Sequence, residues 1–132
     1  FETLPRRDFG AFQSVTLPIQ FATQAIAPLI IGLSAPYAVP TIGVALLAAT
    51  SFGGIINLAY LTPKCADLKV QRWALIDAKY NGDEAKAKES GDLAIIDKAF
   101  GKYHMLSMVS NLASIIAITG YGFIIGSKLK AI

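Results

Sequence analysis

The chain has 132 residues, 12 Lys and Arg, 9 Asp and Glu and a single His, giving a net charge of +3, with 54% hydrophobic and only 16% charged residues. That charged share is well below the roughly 25% of an ordinary soluble domain. Two runs carry no Asp, Glu, Lys or Arg: 55 residues from Phe9 to Pro63, and 25 residues from Tyr103 to Ser127. Gaps this long forbid the alternation of polar and apolar faces that a soluble domain needs. They exclude a nucleic-acid binder, a disordered chain and a disulfide-stapled secreted domain. They imply one integral membrane helical domain over residues 1–132.

A membrane helix needs about 20 apolar residues at about 1.5 Å each to cross a core of about 30 Å. The longer run therefore holds two spans and a connection, and the shorter holds one. Residues 1–10 read as a polar, interfacial lead-in, with Arg6 and Arg7 reaching headgroups and Phe9 dipping into the interface. The first span runs from about 12 to 33 and contains Pro18 and Pro28, which predict a kinked helix, with Gln20 and Gln24 one turn apart. Residues 34–40, SAPYAVP, are the connection.

The second span covers about 41–61. Ala45, Ala49 and Gly53 form a small-residue stripe along which another helix can pack closely. Thr62 and Pro63 predict a helix restart, with Thr62 as the cap and Pro63 at the first position.

Residues 64–102 hold eight basic and seven acidic side chains, the charged extramembrane loop. Leu68, Trp73, Leu75 and Ile76 alternate with Lys69, Arg72 and Lys79, which predicts an amphipathic helix over 63–80 near the surface. Asn81-Gly82 stops it. Residues 83–91 read as a mobile loop. Asp92 to Lys102 is helical again and runs into the third span, 103–127. Gly122 and Gly126 give that span a GxxxG packing pair. The fold is thus an all-α membrane protein with three transmembrane helices and an amphipathic helical loop over 63–102.

Ten Lys and Arg lie on the side of the lead-in and the loop, and two on the other side. The positive-inside rule places the charged loop in the cytoplasm, matrix or stroma. Lys64, Lys69 and Arg72, with Arg6 and Arg7, are the candidate headgroup contacts.

Phe100, His104, Ser107 and Asn111 are spaced to share one helix face. His104, Ser107 and Asn111, with Gln20, Gln24 and Asn57, form a candidate intramembrane polar cluster. It reads either as a pocket for a lipid headgroup, pigment or ion, or as interhelical hydrogen bonding worth about 0.6 kcal/mol per contact. His104 has no second His, nearby Cys or intramembrane carboxylate beside it, so no metal site is assigned. No nucleophile–base pair lies inside the apolar runs, so no catalytic residue is assigned. Cys65 is the single cysteine and forms no intrachain disulfide. The sequence requires no cofactor and leaves lipid or pigment contact at His104 open.

Three segments carry a family resemblance: LPRRDFGAFQSVTLP near the start, NLAYLTPK at the end of the second span, and FGKYHMLSMVSNL entering the third. They resemble the transmembrane protein 205-like family, also catalogued as a domain of unknown function. The matching positions include Pro5, Arg6, Phe9, Gly10, Gln13, Ser14 and Pro18 in the first segment. Asn57, Pro63, Arg72, His104, Ser107, Asn111 and Leu112 complete the set. That family usually has four spans, and the LPRxxFG-type segment follows the first. The resemblance therefore implies that the first span is missing here. It implies no enzymatic activity, and the family's molecular role is not established. Some members are linked to drug export or vesicle traffic.

Two functions are expected. One is a non-catalytic accessory subunit packing against other membrane proteins and lipids, in an organellar respiratory or photosynthetic complex of the thylakoid or mitochondrial inner membrane. The other is a small-molecule or lipid transporter or binder using the groups around His104, Ser107 and Asn111. An intramembrane enzyme ranks behind both.

Overall fold

The computed structural model describes residues 5–129, apart from the side chain of Arg6. Among the described residues five α-helices follow in order: α1 (Arg6–Leu33), α2 (Thr41–Ile56), α3 (Thr62–Tyr80), α4 (Glu84–Glu89) and α5 (Ala94–Leu129). A π-helical turn, Asn57–Leu61, joins α2 to α3. No strand occurs among the described residues. Three helical stretches are long and apolar enough to cross a membrane: Arg7–Leu33, Thr41–Tyr80 and Ala94–Leu129. All three expected spans are present.

Two boundaries differ from the sequence reading. α1 starts at Arg6, so the second half of the lead-in is already helical. Asp8 in its first turn complements the positive end of the helix dipole. The helix then continues through both Pro18 and Pro28.

The second difference is at Thr62-Pro63, where no restart occurs. Thr62 has helical dihedrals, φ −65° and ψ −47°, and caps nothing. The helix from Thr41 to Tyr80 is one unbroken stretch of 40 residues. Proline at position 63 has no N–H, and its ring crowds the carbonyl one turn back. The chain meets this by widening the preceding turn: the Thr62 N–H bonds to Asn57 O, five residues back. Inserting one residue into the turn costs less than ending the helix and orphaning its carbonyls in the membrane.

At about 1.5 Å per residue, 40 residues span about 60 Å, twice the apolar core. α3 and the start of α5 therefore project together from the same side. α3 packs on α5 and α4, so its amphipathic face is used within the protein. Ile76, Ala87 and Leu93 are buried at the centre of this cap, with Trp73, Leu75 and Tyr80 around them.

Asn81 ends α3 in the left-handed region at φ 50°, and Gly82 follows at φ 84°. Their amides both reach back to the Ile76 carbonyl. The expected loop at 83–91 is instead largely helical. Asp83 caps α4 by accepting from the Lys86 N–H at 3.1 Å, and the EAKAKE sequence that follows has high helix propensity.

Within the membrane, α2 is the middle helix. It packs against α1 on one side and α5 on another, while α1 and α5 scarcely touch. Two adjacent glycines set both crossings. A Cβ on Gly54 would lie 2.5 Å from the Ala25 backbone nitrogen, so α1 crosses there backbone to backbone. A Cβ on Gly53 would lie 2.0 Å from Ser114 Oγ, so α5 crosses one residue earlier. Near the far end, Gly43 admits the buried ring of Tyr121, whose hydroxyl lies 3.5 Å from that of Tyr37.

The packing stripe expected on α2 is only partly used. Gly53 is buried, whereas Ala45 and Ala49 face outward. The buried face is Gly43, Leu47, Thr50, Ser51, Gly53 and Gly54. Gly122 and Gly126 are exposed, and a Cβ on either would meet nothing within 4 Å.

Candidate functional site

The expected polar cluster does not form one site. Asn57 is fully buried. Its Nδ2 donates to Gly53 O at 2.9 Å, and its Oδ1 accepts from the Ser107 hydroxyl. That pair ties the π turn to α5. Its groups are satisfied, so it acts as a structural lock between helices. Gln24 is half-buried on α1 beside Gly53. Its Nε2, like Ser51 Oγ, is buried without a hydrogen-bond partner. Gln20 is exposed, and Asn111 is half-buried.

His104 points elsewhere. It is exposed and stacks on Phe100, with ring centroids 5.5 Å apart and planes 9° from parallel. Both rings line a cleft of about 430 Å³. α1 contributes Phe9, Gly10 and Gln13; α3 contributes Lys69, Arg72 and Trp73; α4 contributes Lys88; and α5 contributes Asp97, Phe100 and His104. The cleft lies where the charge-free runs give way to charged residues, which is the level of the membrane boundary.

Each cleft side chain is positioned by the helix that carries it. Lys69 and Arg72 are three residues apart on α3, so they share its inward face. Arg72 is a built strut. Its Nε donates to Asp97 at 2.7 Å and an Nη to Glu84 at 2.8 Å, joining α3 to α5 and α4. Its side chain is only 12% exposed. Burial alone would lower its pKa, but the bonds from Asp97 and Glu84 outweigh this and hold it above its ordinary value. Its charge is thus already matched by two carboxylates.

Lys69 is different. Its ammonium donates to Gln13 Oε1 at 3.4 Å and lies 5.7 Å from the Phe100 ring centroid. Gly10 borders the same corner, where a Cβ would stand 3.9 Å from that nitrogen, an ordinary contact distance. Among the described residues no carboxylate forms a salt bridge with Lys69 or Lys88. Trp73 is flanked by two guanidinium groups, Arg7 and Arg72, each 5.3 Å from its ring. Arg7 also pairs with Asp77 at 3.1 Å.

Of the expected headgroup contacts, Lys69 and Arg72 line the cleft and Arg7 borders it through Trp73. Lys64 is exposed outside it. The Arg6 side chain lies outside the described residues. The sequence reading missed Gln13, Trp73, Lys88, Asp97 and Phe100 as parts of one site. The signal available was that cationic and aromatic residues recur where the charge-free runs stop at Asp8, Lys64 and Lys102.

Residues 1–74 match the family described as a domain of unknown function, DUF4149. The match includes the α1 and α3 walls of the cleft. No curated protein and no solved structure matches the chain. With more than half of its length matched, the chain belongs to the DUF4149 family, and its three apolar helices make it an integral membrane member.

Proposed function

We propose that the protein is a non-catalytic membrane protein that holds an amphiphilic molecule in the interfacial cleft, with the polar head among Lys69, Lys88 and Gln13 and the apolar part against Phe9 and Phe100. The observation that carries this reading is the convergence of four helices on one cleft lined by both cationic and aromatic side chains. A site at the boundary of the membrane meets its ligand from the bilayer, where lipids are the abundant amphiphiles. The sequence resemblance to the transmembrane protein 205-like family supports it further: Phe9, Gly10, Gln13, Arg72 and His104 belong to both the shared pattern and the cleft. A photoactivatable lipid added to the reconstituted protein should cross-link to residues 9–13, 69–73 and 97–104. Adducts spread evenly along the three spans would sink the reading.

A second reading, an accessory subunit of a larger membrane assembly, is favoured by the outward small-residue faces. Ala45 and Ala49 on α2, and Gly122 and Gly126 on α5, are unused by the protein's own packing. A respiratory or photosynthetic membrane of an organelle fits this, with the cap on the matrix or stromal side by its excess of basic residues. Mild extraction from the native membrane should then yield a complex joined through these faces. A lone monomer would count against it.

A further inference from the structure

We propose that the cleft selects an anionic headgroup, the singly charged phosphodiester of a lipid, over a zwitterionic one. This rests on the amphiphile-binding reading above and specifies its ligand. The cleft and its strut contain three cations, Lys69, Arg72 and Lys88, and two carboxylates, Glu84 and Asp97. Both carboxylates are bonded to Arg72. Three cations against two carboxylates leave a surplus of one positive charge, and among the described residues neither Lys69 nor Lys88 forms a salt bridge with a carboxylate. A phosphodiester carries one negative charge and accepts hydrogen bonds on its oxygens, so it complements this surplus. A choline or ethanolamine headgroup brings its own cation and would place it beside Lys69.

The geometry also separates roles. Arg72 holds the walls together and is the positioning residue. Lys69 is held by Gln13 through a single bond of 3.4 Å, a contact that a phosphate oxygen can displace. Phe100 beneath it supplies the apolar side of the same corner. Lys88, exposed on α4, closes the water-facing rim.

Trp73 is the chain's single tryptophan and lines the cleft, so its fluorescence reports occupancy directly. The test uses the full chain in phosphatidylcholine nanodiscs, titrated with brominated phosphatidylglycerol or brominated phosphatidylcholine at equal mole fraction. The anionic lipid should quench Trp73 with about fivefold higher apparent affinity, the size expected for one surface charge. Lys69→Gln should bring the two lipids close to parity, Lys69→Arg should keep the preference, and Lys64→Gln, outside the cleft, should leave it unchanged. If Lys69→Gln fails to insert, Lys88→Gln carries the same comparison at the rim. Equal quenching by both lipids overturns the anionic assignment while leaving amphiphile binding intact. Absence of quenching by either overturns both. Reversal of the phosphatidylglycerol effect by millimolar inorganic phosphate overturns the lipid source and assigns the site to free phosphate.

Discussion

The membrane bundle and the projecting cap use opposite means to hold helices together. In the bundle, α2 meets its neighbours through Gly53 and Gly54, where backbones approach with almost no side chain between them. Lipid tails are as apolar as leucine, so burying an aliphatic group between helices gains little there, and close approach does the work. In the cap, Ile76 and Leu93 are buried from water and Arg72 binds three helices with two ion pairs. Water supplies the hydrophobic driving force that the bilayer lacks. The cleft lies at the seam, with one wall set by each regime.

Breaking the bundle should give the largest effect. Gly54→Leu forces a side chain into the Ala25 backbone, which cannot move aside as a flexible side chain can. It should cost at least about 3 kcal/mol, at or beyond the upper end for overpacking. Denaturant titration in micelles should show this, with α1 losing protection from hydrogen exchange first. The cap should remain folded.

The converse variant is Ile76→Ala, which opens a cavity at a fully buried cap position. It should cost about 3 kcal/mol. Hydrogen exchange should rise in α4 and the ends of α3 and α5, while the amides around Gly53 stay protected. If either variant unfolded both regions together, the two would be one cooperative unit and the contrast would fail.

A smaller effect is expected from Ser107→Ala, which removes the hydroxyl bonded to Asn57 in the bundle. Membrane hydrogen bonds of this kind average about 0.6 kcal/mol, so a loss near or slightly above that is expected in a thermal melt.

Acid should affect the cap alone and only mildly. The backbone N–H of Lys86 holds Asp83 below its ordinary 3.8, and the Lys79 ammonium together with the Tyr80 hydroxyl does the same for Asp92. A depressed folded pKa means that the unfolded chain takes up the proton first. The stability from these carboxylates is therefore full above about 3.8 and disappears as pH falls through their lower folded values. Lys79 is raised above 10.5 by Asp92, so its share is full below 10.5 and is lost as pH climbs through the raised value. Lys79 and Asp92 are exposed and Asp83 is half-exposed, so the change should be small. In a pH series, hydrogen-exchange protection of the cap should fall off at both ends while that of the bundle stays flat.

The elements themselves were largely legible in the residues. Charge-free runs located the spans, Asn81-Gly82 located the end of α3, and the pattern from Asp92 onward foretold a helix entering the third span. α4 was also readable, since Asp83 precedes a run of good helix formers, but its charges and small residues suggested a loop. At Thr62-Pro63 the local pattern pointed the wrong way. The motif starts helices in water, where freed carbonyls find solvent, whereas near the bilayer the chain widens a turn and keeps its hydrogen bonds internal.

By itself, then, the sequence determined that this is a membrane protein with three spans, and where charge begins and ends along it. Those are properties of single segments meeting two solvents, and each segment carries them alone. Which small residues pack, which polar groups pair and where the cleft forms were decided only by tertiary structure. Ala45, Ala49, Gly122 and Gly126 look as suited to helix contact as Gly53 and Gly54, yet only the glycine pair is used within the chain. Rotation of each helix about its own axis sets that choice, and this rotation is fixed by neighbours distant in sequence. The cleft has the same origin. Gln13 and Lys69 lie 56 positions apart and meet only because the 34–40 connection turns the chain back alongside α1 and the π turn then carries α2 into α3 unbroken.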